Sequence, residues 1–113
     1  MFSPDMKNFD NPLPPDQVRF LDLHVEPWED KKRLKVFVKI TQFTTPPNLC
    51  FQILDDQNVN LSEVTFIENI DTDIVFTMHL RSKNEQEDLT LKGEIFYSEE
   101  IGQVDKKEIA FTL

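Results

Sequence analysis

The chain has 113 residues, a length typical of one domain, and ten phenylalanines with which to build a core. Acidic residues outnumber basic ones 21 to 12, and the net charge of −9 disfavours nucleic acid and anionic membranes as partners. A single cysteine excludes an intrachain disulfide and favours a reducing compartment, so we expect a cytoplasmic protein. The sequence predicts neither a signal peptide nor a membrane-spanning segment.

Residues 1–17 are polar and rich in proline, which fixes φ and lacks a backbone donor. This composition predicts a flexible or polyproline-II arm in front of a folded domain of residues 18–113. The spacing of two of its prolines matches the PxxP pattern, although the basic residue that usually accompanies this pattern is missing. Three prolines of the arm are therefore candidate protein contacts: Pro12, Pro14 and Pro15.

Beyond the arm, apolar and polar residues alternate almost everywhere, for example with Leu21, Leu23 and Val25 on one side. Alternation predicts half-buried antiparallel strands, and turns rich in Pro, Asn and Asp separate the segments. Seven short strands at this spacing predict an all-β fold, an antiparallel β-sandwich with Greek-key connections. The seven alternating segments are 19–25, 33–43, 48–54, 59–68, 73–80, 89–97 and 108–113.

The order of these segments follows a recognisable layout. A proline-flanked first strand leads into "RLKVFVKI", then the hairpin "PNLCFQILDDQNVNLSEVTF", then "FTMHLR" and "LTLKGEIFY". From Pro15 to Leu113 the chain resembles a small immunoglobulin-like or fibronectin-III-like β-sandwich, of the type of short uncharacterised bacterial proteins. The resemblance implies a sandwich of about seven strands and brings no functional residues with it. Paired cysteines and a strand-C tryptophan, as in antibody domains, are missing, so the strand order stays open.

The stretch "HVEPWEDKK" predicts the end of the first strand and a corner. Pro27 cannot donate to the strand ladder and should end it. Trp28 is expected to be a lid over the end of the core, with its indole N–H bonded to a carbonyl or water. Both residues are therefore interpreted as structural.

One face of the first predicted strand carries Asp22, His24 and Glu26. With His79 from another strand, these donor types could bind zinc, which needs three or four converging ligands. The competing interpretation is a solvated polar face on an outer strand.

Phe37 and Phe43 fall on the opposite parity from the apolar residues of the second strand. If the outer face of that strand is open, both rings are exposed and mark a protein contact. Alternatively, the N-terminal arm covers them with Phe2 or Phe9.

Catalytic signatures are missing from the sequence: it has no GxSxG elbow, no Cys–His pattern and no glycine loop for phosphate. We therefore expect a non-enzymatic protein without a cofactor. The favoured hypothesis is a protein-binding or assembly module, with a protein partner or a homo-oligomer formed through an edge strand. The alternatives are an acidic decoy of a nucleic-acid-binding protein and a small metal-binding protein that uses the face of Asp22, His24 and Glu26.

Overall fold

Two antiparallel sheets packed face to face form the fold, and the predicted all-β sandwich of seven strands is confirmed. The computed structural model describes residues 11–80 and 88–113. No helix among these residues is long and apolar enough to cross a membrane. The strands are β1 Phe20–Pro27, β2 Arg33–Ile40, β3 Asn48–Leu54, β4 Asn60–Phe66, β5 Asp73–His79, β6 Asp88–Phe96 and β7 Gln103–Thr112.

The strand order, which the sequence left open, is β1-β2-β5 in one sheet and β4-β3-β6-β7 in the other. The pairs β2–β5 and β3–β6 are neighbours in space but not in sequence, as expected for Greek-key connections. In constant-type immunoglobulin domains, the fourth strand joins the sheet of the first two. Here β4 pairs with β3 instead, so one sheet has three strands and the other has four.

The core lies between the sheets around the fully buried ring of Phe51. Its ring centroid lies 6.2 Å from that of Phe20, 6.1 Å from that of Phe66 and 5.0 Å from that of Phe76. Gly93 on β6 lies directly opposite, where a Cβ atom would come within 3.2 Å of the Phe51 ring. Because Gly93 has no side chain, the rings of Phe20 and Phe51 have room to pack beside it. Both sheets supply the other buried apolar residues, among them Leu23, Leu34, Val36, Val38, Ile40, Leu49, Ile53, Met78, Leu89, Leu91 and Ile95.

The start of β1 departs from the predicted alternation. Leu23 is buried and Val25 packs on the core, as predicted, but Leu21 is exposed. A β-bulge between Phe20 and Asp22 adds one residue to the strand. The extra residue shifts the parity before it, so Phe20 packs inward in place of Leu21.

The end of β2 also differs, because the strand stops at Ile40 instead of continuing to Phe43. Thr41 leaves the sheet and binds Arg19: its N–H donates to the Arg19 carbonyl at 3.0 Å, and its hydroxyl accepts the Arg19 N–H at 3.1 Å. Because the Thr41 side chain, and not its carbonyl, accepts the Arg19 N–H, the regular backbone pairing with β1 ends here. The residues that follow do not continue the predicted alternation between the two faces of the sheet.

The turn between β3 and β4 has the predicted chemistry. Asn58 lies in the left-handed region with φ 63°, which asparagine tolerates better than most residues. Asp55 closes the turn, since its Oδ1 accepts the N–H of Gln57 at 2.8 Å and the N–H of Val59 at 2.9 Å.

β7 begins at Gln103, within the stretch 99–107 for which the sequence predicts a turn around Gly102. It pairs with β6 along its length, and this pairing extends the strand into polar residues. Asp105 also joins the two sheets, because its Oδ2 accepts the N–H of Phe20 at 2.8 Å.

Candidate functional site

Two exposed isoleucines mark the connection between β4 and β5. Ile67 is 68% exposed and Ile70 is 76% exposed. Large apolar side chains grouped on a surface mark interaction sites, whereas isolated ones need no explanation. The sequence predicts a turn or short crossover at residues 68–73 and places Ile67 at the end of the preceding strand segment, and neither isoleucine was recognised as exposed. The available signal was that Ile70 interrupts a polar run and that Ile67 lies off the parity of the preceding strand.

The backbone that carries these isoleucines is fixed by Asn69, which is only 8% exposed. The Asn69 N–H donates to the Pro47 carbonyl at 2.8 Å, and its side-chain amide donates to the Asp71 carbonyl at 2.6 Å. Glu68, in the left-handed region with φ 49°, donates its N–H to Asn48 Oδ1 at 2.8 Å. These bonds tie the loop to the start of β3, so the isoleucines are presented from a fixed backbone.

β5, the strand that follows this loop, carries a further exposed apolar side chain and lies at the edge of its sheet. Among the described strands it pairs only with β2. Val75, in the middle of β5, is 55% exposed on the outer side. A groove of about 490 Å³ separates β5 from β4 and is lined by residues 60–64 and 77–79. We refer to Ile67, Ile70, Val75 and the open edge of β5 as the β5 surface.

Phe37 lies on the outer face of β2, as its parity predicts, but its ring is half-covered. The ring of His24 on β1 stacks on it with centroids 4.5 Å apart and planes inclined by 9°. The Nζ of Lys35 lies 5.4 Å from its centroid. The cover thus comes from neighbours within the sheet, an arrangement that neither alternative considered; Phe2 and Phe9 lie outside the described residues.

Phe43 does not lie on that outer face, although its parity predicts it there, and its role as a protein contact stays a prediction. It forms an isolated parallel bridge with Leu13 and packs against the core. The Leu13 N–H donates to the Gln42 carbonyl and its own carbonyl accepts the Thr44 N–H, both at 3.0 Å. The early end of β2 is the cause, because it turns residue 43 toward the core.

These bonds also attach the described part of the predicted arm, residues 11–17, to the domain. Pro12 and Pro14 flank the bonded Leu13, and Pro15 begins a 3-10 turn that ends at Gln17. Residues 1–10 lie outside the described residues, so the flexible arm stays a prediction for them. The proposed protein-contact role of the three prolines likewise stays a prediction.

Trp28 is not a lid on the core, contrary to expectation. Its side chain is 40% exposed, and the guanidinium carbon of Arg33 lies 4.1 Å from its ring centroid. The Trp28 N–H donates to the Arg33 carbonyl at 2.9 Å, and its carbonyl accepts the Lys31 N–H at 3.0 Å. β1 ends at Pro27, so the indole belongs to the hairpin turn and packs on a cation.

Asp30 organises the same hairpin. Its Oδ1 accepts the Lys32 N–H at 2.9 Å, and its Oδ2 lies 3.0 Å from both Nε and Nη2 of Arg33. The hydrogen bond from Lys32 is the main reason that the pKa of Asp30 is lowered from its ordinary value of 3.8, and the Arg33 guanidinium adds to it.

The proposed metal ligands are not brought together. Asp22 and His24 pair with each other, with His24 Nδ1 2.7 Å from Asp22 Oδ2. His79 is not on a strand next to β1, because β2 lies between β1 and β5. In residues 11–80 and 88–113, no three His, Cys, Asp or Glu side chains are grouped so that they could hold a metal ion. The metal hypothesis built on Asp22, His24 and Glu26 therefore gains no support.

Basic side chains stand beside acidic ones on the described surface. Mimicry of a nucleic acid needs acids grouped on one face, and interleaved cations break up such a face. The decoy hypothesis therefore gains no support from these contacts. The ion pairs are Arg33–Asp30 at 3.0 Å, Lys92–Glu94 at 3.3 Å, Lys106–Glu108 at 3.6 Å and Lys39–Asp73 at 3.9 Å.

No protein-family model and no curated protein sequence matches the chain. Its fold is similar to part of a Bifidobacterium dentium β-glucuronidase, with a TM-score of 0.59 and 12% identity over 85% of this chain and 18% of that one. A Ruminococcus gnavus β-glucuronidase gives a TM-score of 0.58 and 10% identity over 86% of this chain and 16% of that one. A glycosyl hydrolase family 2 member from Bacteroides cellulosilyticus gives a TM-score of 0.58 and 15% identity over 83% of this chain and 14% of that one.

The chain thus spans less than a fifth of the length of each of these three proteins. At 10 to 15% identity the likeness shows the fold alone, and that fold is an all-β sandwich.

Proposed function

We propose that this domain is a non-catalytic protein-binding or assembly module and that the β5 surface is its contact region. One observation carries the proposal: Ile67 and Ile70 are exposed on a loop whose backbone Asn69 holds in place. Apolar side chains gain free energy when a partner removes them from water. A backbone that is already ordered loses little conformational entropy on binding.

The fold comparisons support a non-catalytic role in a limited way. β-sandwiches present edge strands and loops for recognition, and chemistry on such folds depends on a specific constellation of side chains. The similar structures are glycosidases of which this chain matches a minor part, 14 to 18% of their length in the three examples. A supporting role beside other domains or proteins is consistent with that proportion.

Affinity capture from cells that express the chain, at low salt, tests the proposal. The bait would be the wild type, the double variant Ile67→Ser/Ile70→Ser, or the control Ile101→Ser, which also removes an exposed isoleucine but lies in the β6–β7 turn. We expect a protein, which could be a second copy of the chain, to be retained by the wild type and the control and lost by the double variant. Equal retention by all three baits would overturn the proposal.

A further inference from the structure

In residues 11–80 and 88–113, four strands pair with a neighbour on one side only, and β5 differs from the other three. An extra residue forms a bulge in β1 at Leu21, in β4 at Leu61 and in β7 at Val104, as the pairing registers show. Each bulge lies near the start of its strand and twists that part of the edge. The regular part that follows carries Pro27 in β1, carries Lys106 and Lys107 in β7, and covers only residues 62–66 in β4. β5 pairs with β2 in unbroken register from Asp73 to His79. Its own sequence has neither proline nor lysine, the other common protections of an edge.

The direction of the main-chain groups on β5 follows from two bonds at its ends. The Thr72 carbonyl accepts the Ile40 N–H at 2.9 Å, and the Leu80 N–H donates to the Lys32 carbonyl at 2.8 Å. Since N–H and C=O groups point the same way on every second residue, the even-numbered residues face β2. The odd-numbered residues, 73 to 79, therefore turn their N–H and C=O groups to the open edge.

We infer that a second copy of this chain pairs with that edge, β5 against β5 and antiparallel, around a twofold axis at Phe76. The inference rests on the proposed assembly function and specifies its partner. In this register Asp73 lies opposite His79 of the second copy, and Val75 lies opposite Thr77. All four pairs join residues whose main-chain groups face the edge, so each is a hydrogen-bonded pair of an antiparallel ladder.

The side chains of β5 complement themselves in this register. A carboxylate, Asp73, meets an imidazole, His79, at both ends of the new ladder. Val75 and Thr77 form β-branched cross-strand pairs, a favourable combination on a sheet face. Lys39 approaches Asp73 only to 3.9 Å, which leaves the carboxylate free for a closer partner.

Shifting the register by two residues in either direction separates Asp73 from His79 and leaves one end of the strand unpaired. The symmetric register around Phe76 is therefore favoured. Because the contact is isologous, it closes as a dimer and does not propagate into a fibre.

Charge exchange across the interface provides the test, with oligomeric state measured by sedimentation velocity. The first variant, Asp73→Lys/His79→Lys, places like charges opposite each other when it pairs with itself. The second, His79→Asp, does the same with negative charge. We expect the wild type to be a dimer. Each variant alone should have a dissociation constant at least about tenfold higher, and the two variants mixed should form a one-to-one heterodimer.

The control Glu108→Lys changes the charge on β7 and should dimerise as the wild type does, and circular dichroism would verify that every variant is folded. A wild type that stays monomeric overturns the inference, as does a dimer that neither variant weakens. A monomeric wild type that still captures another protein through Ile67 and Ile70 would leave the proposed function standing while this inference fails. A monomer that captures nothing would remove both.

Discussion

Phe51 and Trp28 show how differently two large aromatic side chains contribute to this domain. Phe51 is fully buried among three other rings, whereas Trp28 is 40% exposed beneath Arg33. We expect Phe51→Ala to lower the free energy of unfolding by about 3–5 kcal/mol, the usual cost of removing a buried aromatic ring. Trp28→Ala should cost only about 0.5–1 kcal/mol, the range for an exposed cation–π contact.

Urea denaturation of the two variants measures this difference directly. Phe51→Leu is the matched control, because it keeps an apolar side chain in the cavity and should cost less than the alanine. Equal losses for Trp28→Ala and Phe51→Ala would restore the interpretation of Trp28 as part of the core.

Asp30 supplies a pH dependence whose sign follows from its contacts. The Lys32 N–H and the Arg33 guanidinium favour the carboxylate, so the folded pKa lies below the ordinary 3.8. A group with a lowered folded pKa stabilises the fold above its unfolded pKa and loses that contribution as pH falls through the folded pKa. Asp30→Asn should therefore destabilise the domain at neutral pH, and its difference from wild type should vanish in acid below the folded pKa.

Unfolding free energies of the wild type and Asp30→Asn at a series of pH values check this expectation. Glu29→Gln, in the same turn, controls for the loss of one negative charge. A difference between the wild type and Asp30→Asn that stays constant down to the lowest pH would contradict the assigned role of the carboxylate.

At the scale of elements, the loop between β4 and β5 depends on the side chain of Asn69. Asn69→Ala removes the 2.6 Å donor of the Asp71 carbonyl and a side chain that is itself buried, while Asp71 remains open to water. The loss of an ordinary hydrogen bond of this kind costs about 0.5–1.5 kcal/mol. We expect lower stability, faster amide exchange across residues 67–72, and weaker retention of any partner bound through Ile67 and Ile70.

Hydrogen exchange followed by mass spectrometry resolves this segment from the strands around it. Asn58→Ala, in the β3–β4 turn, is a control that should speed exchange in its own turn only. If exchange in residues 67–72 is unchanged in Asn69→Ala, the backbone bonds alone hold the loop and Asn69 is not its anchor.

The strands were predictable because each packs one face against a shared core. Apolar and polar residues therefore alternate along each strand with a period of two. The broken alternation near Ser62 also predicts an irregularity in β4, and the bulge at Leu61 confirms it. The bulges in β1 and β7 were not predictable, since Leu21 and Val104 are apolar and look like core residues in an alternating pattern. The conformation of the loop between β4 and β5 was not predictable either, because it depends on a bond from Asn69 to Pro47. The two residues are 22 positions apart, and no local pattern connects them. The candidate surface therefore depends on long-range contacts, whereas the fold class depends on local ones.

At the scale of the whole molecule, we expect the bulges to limit which sheet edges can pair with another chain. Among the described strands, three of the four sheet edges carry a bulge near their start, and the fourth, on β5, follows the loop of the exposed isoleucines. If all edges were open, the sandwich would tend to aggregate, and if all were blocked, it could not pair through its main chain. The edge of β5, without a bulge, a proline or a lysine, is therefore the edge at which we expect the proposed pairing of two copies.

The net charge of −9 sets the response of the whole molecule to salt. Excess like charge repels itself more strongly in the compact state than in the unfolded chain, and this repulsion lowers stability. The Debye length shrinks from about 30 Å at 0.01 M salt to about 3 Å at 1 M, so sodium chloride should screen the repulsion. The exposed ion pairs weaken too, but such pairs are typically worth only about 0–1 kcal/mol each.

We therefore expect the melting temperature to rise with sodium chloride, by roughly 4 °C for each 1 kcal/mol of repulsion removed. Screening also favours association of two like-charged chains, and association raises the melting temperature with the logarithm of the protein concentration. The melts should consequently be recorded at two protein concentrations and with the variant His79→Asp, which is expected to weaken the proposed β5 contact. If the melting temperature of that variant still rises with sodium chloride, the salt screens repulsion within one chain. If the melting temperature falls, the ion pairs stabilise the fold more than the excess negative charge destabilises it.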